Sequence, residues 1–153
     1  MFGRTANNYV VQSIGHADFN AKTALCLADG DGRNGRFLAS RGFAVTAVDI
    51  SPVATDIATQ LDNEAGVEVE RITADLAEWK PAPDQRWDAV FLIYLQCPRA
   101  VRQRVVELAA RHLTPGGWFV AEGFAIRDDD GPDMGPPDSD LLYSVTDFDA
   151  WLG

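Results

Sequence analysis

The chain has 153 residues, which bounds it to one core and is read here as a single domain over 1–153. With 46% hydrophobic and 24% charged residues, 13 glycines and 8 prolines, the composition is that of an ordinary globular protein and excludes collagen-like or largely disordered states. Against 13 basic side chains stand 23 acidic ones, and the resulting charge of -10 makes nucleic acid and anionic membrane surfaces poor partners.

Thr23 to Ala28 (TALCLA) reads as a first strand, apolar on both faces, and Asn34 to Arg41 (NGRFLASR) as the helix that follows. Ala44 to Ile50 is a second strand; Ser51 as N-cap and Pro52 at the first helical position then open a helix to Ala65. Val67 to Thr73 reads as a third strand and Trp87 to Tyr94 as a fourth. Pro98 to Leu113 sets Val101, Val105, Leu108 and Ala109 on one helical face. Thr114-Pro115-Gly116-Gly117 reads as a helix stop and turn into a fifth strand, Gly117 to Phe124. Arg127 to Asp140 is an acidic loop, either a lid or a solvated connection, and it lacks the alternating Asp pattern of a calcium loop. Thr146 to Asp149 reads as the capping box of a further helix. Strands that alternate with helices and are apolar on both faces predict a parallel sheet with helices on each side. In such a sheet the ligand crevice lies at the carboxyl ends of the strands.

The longest uncharged apolar run, Ala89 to Leu95, is far short of the roughly 18 residues of a membrane span, and residues 1–20 have no secretory pattern. Cys26 and Cys97 lack CxxC spacing and lie in apolar stretches, which fits reduced core thiols in the cytoplasm and no metal site.

Gly30-Asp31-Gly32-Arg33-Asn34-Gly35 is a literal GxGxxG between the first strand and its helix, and Asp49 ends the second strand 19 positions after Gly30. Glycines let the backbone turn tightly and approach a ligand, and a carboxylate at the second strand's tip can accept both hydroxyls of a ribose. Charge separates the two cofactor classes that use this geometry. Asp29 and Asp31 would repel the pyrophosphate of a dinucleotide but attract the sulfonium and ammonium groups of S-adenosylmethionine.

These residues resemble a family. Leu25 to Gly35 (LCLADGDGRNG), Val45 to Pro52 (VTAVDISP), Ala74-Asp75-Leu76 and Leu113 to Gly117 (LTPGG) are similar to the motifs of class I S-adenosylmethionine-dependent methyltransferases. The likeness is closest to the small tellurite-resistance and thiopurine type, and Phe2-Gly3 and Gly135 to Asp138 add to it. It implies a Rossmann-like, doubly wound α/β sheet, mostly parallel, of about five strands in the order 3-2-1-4-5. It also implies S-adenosylmethionine as cofactor, with a small-molecule methyl acceptor. Ala28, Asp29, Gly30, Asp31, Gly32 and Asn34 would meet its methionine portion, Asp49 its ribose, and Asp75 with Leu76 its adenine; Ile50, Ser51 and Ala74 stand beside them. Ile93 and Tyr94 would face the methionyl end and the acceptor. The commonest family pattern has an acid at the position of Cys26 and a glycine at that of Ala28, whereas here the carboxylates fall at Asp29 and Asp31. The family fold has seven strands, so the last two are expected to be absent before Gly153.

Several residues keep two readings. Tyr94, Gln96 and Phe124, at the ends of strands four and five, either line an acceptor pocket or pack its rim. Arg33 and Asn34 either face the ligand or simply begin the helix, and the four tryptophans read as core. His112 reads as a helix-dipole partner and His16 as a loop residue. Three functions compete. Methyl transfer to a soft nucleophile, a thiol or chalcogen anion, needs alignment more than acid–base groups and suits a chain with two lysines and two histidines. A nicotinamide-dependent oxidoreductase is motivated by the GxGxxG and opposed by its charges. A non-catalytic cofactor-binding or partner subunit is motivated by the missing strands. Finally, the fifth strand is an outer edge bearing Trp118, Phe119 and Val120 with only Glu122 charged, which predicts a homodimer or partner chain along it.

Overall fold

A computed structural model describes residues 5–93, 95, 97–123 and 145–152. Within these residues five parallel strands form one sheet in the order β3-β2-β1-β4-β5: β1 Thr23–Leu27, β2 Ala44–Asp49, β3 Glu70–Thr73, β4 Trp87–Ile93 and β5 Leu113–Glu122. The expected order and the Rossmann-like architecture are what the chain adopts. Among the described residues five helices accompany the sheet: α1 Asn8–Ile14, α2 Arg33–Ser40, α3 Pro52–Ala65, α4 Arg99–His112 and α5 Val145–Leu152.

Burial on both faces explains why β1 and the middle of β4 lack a polar side. In β1, Leu25 and Leu27 join one core layer while Ala24 and Cys26 join the other; in β4, Val90 and Leu92 divide likewise from Ala89 and Phe91. The first layer takes Val105, Val106 and Ala109 of α4 and Trp151 of α5, and the second takes Val10 of α1 and Leu38 of α2. The tryptophans are structural as expected. Trp87 and Trp151 are buried, and the ring of Trp118 meets Phe19 and His16 at 5.3 Å each. His112 is buried as well, with Nδ1 2.8 Å from the Gln85 carbonyl oxygen, so a tertiary contact holds it in addition to the helix end.

Several sequence expectations shift. Helix α1 carries a weak sequence signal and was not expected; Asn7 caps it by accepting from the Tyr9 and Val10 amides. β3 is three residues shorter at its start than expected. β5 begins earlier, because Leu113 already pairs with Trp87; Thr114 to Gly117 then form an irregularity before Trp118 resumes pairing with Ala89. Gly116, at φ 76°, supplies the backbone freedom this requires. The C-terminal helix exists, but Thr146 lies inside its first turn and not before it. The acidic loop 127–140 and the expected loss of two strands fall outside the described residues.

Candidate functional site

The site begins where β1 must turn. The Ala28 amide donates to the Val48 carbonyl at 2.7 Å, and Ala28 itself has φ 59°, a left-handed conformation that costs an L-residue roughly 1–2 kcal/mol. This is the position where the resemblance expects glycine. Gly30 follows at φ 57°, and a Cβ there would meet nothing within 4 Å, so its backbone faces open space.

The other glycines of the motif answer to what lies beneath them. A Cβ on Gly32 would collide with the Arg71 guanidinium, and one on Gly35 would stand 2.6 Å from Asp29 Oδ2. Arg71 of β3 pairs with Asp29 at 2.8 Å and with Asp62 of α3 at 2.8 Å, and Arg36 of α2 reaches Asp62 at 3.2 Å. Both arginines also donate to loop carbonyls, Arg71 to Gly32 and Arg36 to Asp31. Two positive and two negative side chains, all largely out of water, thus form a closed network under the loop. Burial pushes the Asp29 carboxyl up from its ordinary value, and Arg71 and the Gly35 amide oppose it. Burial likewise works to lower Arg71, but its bonds to Asp62 and Asp29 win and hold it above the usual arginine value.

Above the network a cleft of about 420 Å³ opens at the carboxyl ends of β1, β2 and β4. Ala28, Asp29, Gly30, Asp31, Asn34, Ser51 and Ile93 line it, all of them anticipated from the sequence. Their side chains play different parts. Asp29 is turned inward, to Arg71 and the Gly35 amide at 3.1 Å, so it does not present the free charge expected of it. Asp31 has no ion-pair partner among the described residues. Asn34 is buried and accepts from the Asn7 amide at 2.8 Å, which ties α1 to the loop. The Ser51 hydroxyl caps α3, accepting from the Ala54 amide at 3.1 Å.

The remaining expected residues surround the cleft without lining it. Asp49 accepts from the Gly30 amide at 3.2 Å and the Ser51 amide at 3.0 Å, so one carboxylate fixes both loops. Two of its four lone-pair positions remain open. Gly32 is buried on Arg71, Ile50 is 63% exposed beside the rim, and Ala74 is half-buried against the core. Asp75 is exposed and accepts from the Ala77 amide, whereas Leu76 belongs to the core, an ordinary packing role. Tyr94, Gln96 and Phe124 lie outside the described residues. Arg33, which the sequence left open between ligand and helix start, also lines the cleft; sequence reasoning missed Val53, Ala54 and Ile57 as lining residues and Arg36, Asp62 and Arg71 as support. Val53 and Ile57 did leave a signal, since they are apolar residues four apart that share one helix face.

The family described as "Methyltransferase domain" matches residues 24–117, from the start of β1 into β5. The chain belongs to this methyltransferase family. Three solved structures place that assignment in context. PH0226 protein from Pyrococcus horikoshii OT3 is 27% identical with a TM-score of 0.62, over 69% of this chain and 47% of its own. TehB from Haemophilus influenzae is 17% identical with a TM-score of 0.77, over 95% and 49%. The glycopeptide N-methyltransferase MtfA, solved with S-adenosyl-L-methionine, is 19% identical with a TM-score of 0.63, over 84% and 53%. The methyltransferase chain thus spans about half the length of each. No curated protein matches the sequence significantly. Among the described residues no helix is long and apolar enough to cross a membrane, and both cysteines are buried.

Proposed function

We propose that this methyltransferase binds S-adenosylmethionine in the cleft over β1, β2 and β4 and serves methyl transfer to a small-molecule acceptor with a soft nucleophile. The observation that carries the reading is the cleft's chemistry: an unpaired carboxylate, Asp31, faces it from the glycine loop, and apolar Val53 and Ile57 form its α3 wall. Its volume is that of a small-ligand site. Asp31 attracts the cationic methionyl end, and the open backbone at Gly30 admits close approach. The two free lone-pair positions of Asp49 take the ribose hydroxyls, and Val53 and Ile57 offer apolar surface to the base. Asp75, which is exposed, is the group this reading assigns to an exocyclic amine of the base. Bound there, S-adenosylmethionine would supply an electrophilic methyl group to the acceptor's lone pair, with its thioether sulfur as the leaving group. An already anionic thiolate or chalcogen needs no base from the chain, only alignment. The resemblance of the sequence motifs to the small tellurite-resistance and thiopurine type supports that acceptor class, and the free, buried Cys26 supports a reducing compartment such as the cytoplasm.

A dinucleotide fits less well. The N-terminus of α2 is where a pyrophosphate would sit, but Asp29 already occupies the Gly35 amide there. Calorimetric titration with S-adenosylmethionine, S-adenosylhomocysteine and NAD tests the reading. The first two are expected to bind and NAD not to, and Asp31→Asn is expected to weaken S-adenosylmethionine at least about tenfold, or 1.4 kcal/mol. Binding of NAD alone overturns the proposal. Tight cofactor binding without turnover of any thiol or selenol acceptor would favour the non-catalytic subunit instead.

A further inference from the structure

Arg36, Asp62 and Arg71 do not line the cleft, yet they hold the loop that does. Arg71 is the centre of the group, and every nitrogen of its guanidinium has an acceptor. Nε meets Asp62 Oδ2 at 2.8 Å, Nη1 meets Asp29 Oδ2 at 2.8 Å, and Nη2 meets Asp62 Oδ1 at 3.0 Å and the Gly32 carbonyl at 3.2 Å. We infer that Arg71 is a positioning residue for the amino-acid end of the cofactor: it fixes the glycine loop and cancels the charge of Asp29, so that Asp31 alone presents an unpaired carboxylate from that loop. The inference rests on the cofactor reading of the cleft.

Geometry carries the first half. Through Asp29, Arg71 anchors the Gly35 amide, and directly it anchors the Gly32 carbonyl, so both ends of the Gly32 to Gly35 segment hang on one guanidinium. Gly32 sits at φ 89° against that group, a conformation that the contact itself keeps in place. Charge carries the second half. Asp29 and Asp62 are balanced by Arg36 and Arg71, and removing Arg71 leaves one net negative charge buried beneath the cleft. Lysine is no substitute, because a single ammonium cannot span two carboxylates and a carbonyl in one plane.

The test compares two ligands on folded variants. S-adenosylhomocysteine has the amino-acid end and methylthioadenosine lacks it. In Arg71→Met the affinity for the former is expected to fall at least tenfold while the latter changes less than threefold, with Arg71→Lys between wild type and Arg71→Met. In the ligand-free protein, hydrogen exchange at the Gly35 amide is expected to quicken at least tenfold while the amides of β1 and β4 keep their protection. Asp88→Asn, a change at the opposite ends of the strands, is expected to alter neither ligand's affinity. Parallel losses for both ligands, unchanged S-adenosylhomocysteine binding, or an unchanged Gly35 amide each overturn the inference. If Arg71→Met does not fold by circular dichroism, Arg71→Lys and Asp29→Asn decide by the same comparison. A wild-type protein that binds neither ligand overturns the cofactor reading and this inference with it, whereas a failure confined to the variants overturns this inference alone.

Discussion

Ala28 has a side chain where the backbone asks for none. At φ 59° it pays the left-handed strain of an L-residue, roughly 1–2 kcal/mol, and glycine would remove that strain at an entropic cost of roughly 0.5–1 kcal/mol. Ala28→Gly is therefore expected to leave the melting temperature unchanged or raise it by up to about 6 °C. Ala28→Val, branched at Cβ, is expected to lower it clearly, and calorimetric melting of the two variants side by side checks the point; a lower melting temperature for the glycine variant would contradict the strain assignment. Cys26 makes a second contrast with the family pattern, which has an acid there. Burial, with Asp29 nearby, pushes its thiol well above the ordinary value, so it is a packed core group and not a nucleophile.

At the scale of elements, the sheet is tied at its two ends by different means. At the carboxyl ends the Asp29, Arg71, Asp62 and Arg36 network and the Asp49 carboxylate join β1, β2, β3, α2 and α3. At the amino ends one residue does similar work: Asp88 of β4 accepts from the Lys22 amide at 2.9 Å, the Thr23 amide at 3.2 Å and the Thr114 hydroxyl at 3.2 Å. The Lys22 amide bond is the largest of the causes that hold the Asp88 carboxyl below its ordinary value. A carboxyl depressed in the folded state stabilises above its unfolded pKa of about 3.9, and that contribution is lost as pH falls through the lower folded value. The melting temperature of Asp88→Asn is thus expected to lie below wild type at pH 7, with the gap closing in the acid range below about pH 4. A gap independent of pH would show that the ionised carboxylate is not what matters.

At the scale of the whole molecule, assembly turns on the outer edge of the sheet. β5 is last in the strand order, as expected, but its bulky side chains are engaged: Phe119 meets Phe148 of α5 at 5.9 Å, and Trp118 meets Phe19. Among the described residues no strand pairs with the outer edge of β5, and that backbone edge is what it would offer a partner. A homodimer or partner chain along that edge is a proposal that light scattering checks, with twice the 16.7 kDa chain mass expected at micromolar concentration and a clean monomer overturning self-association.

The sequence by itself determined the strand and helix alternation, the strand order through its family motifs, and the loop that opens the cleft. These were legible because they are local: apolar runs buried on both faces, Ser51-Pro52 opening α3, and glycines placed between a strand and a helix. Tertiary structure alone decided which acids face the cleft. Asp29 and Asp31 are indistinguishable neighbours in sequence, and only Arg71, 42 positions away on β3, turns one inward and leaves the other to the cleft. The same holds for Gly32 and Gly35, which read as ligand-facing but are small because Arg71 and Asp29 lie against them. Such partners are invisible to periodicity and spacing, because pairing of buried charges depends on which strands the sheet brings side by side.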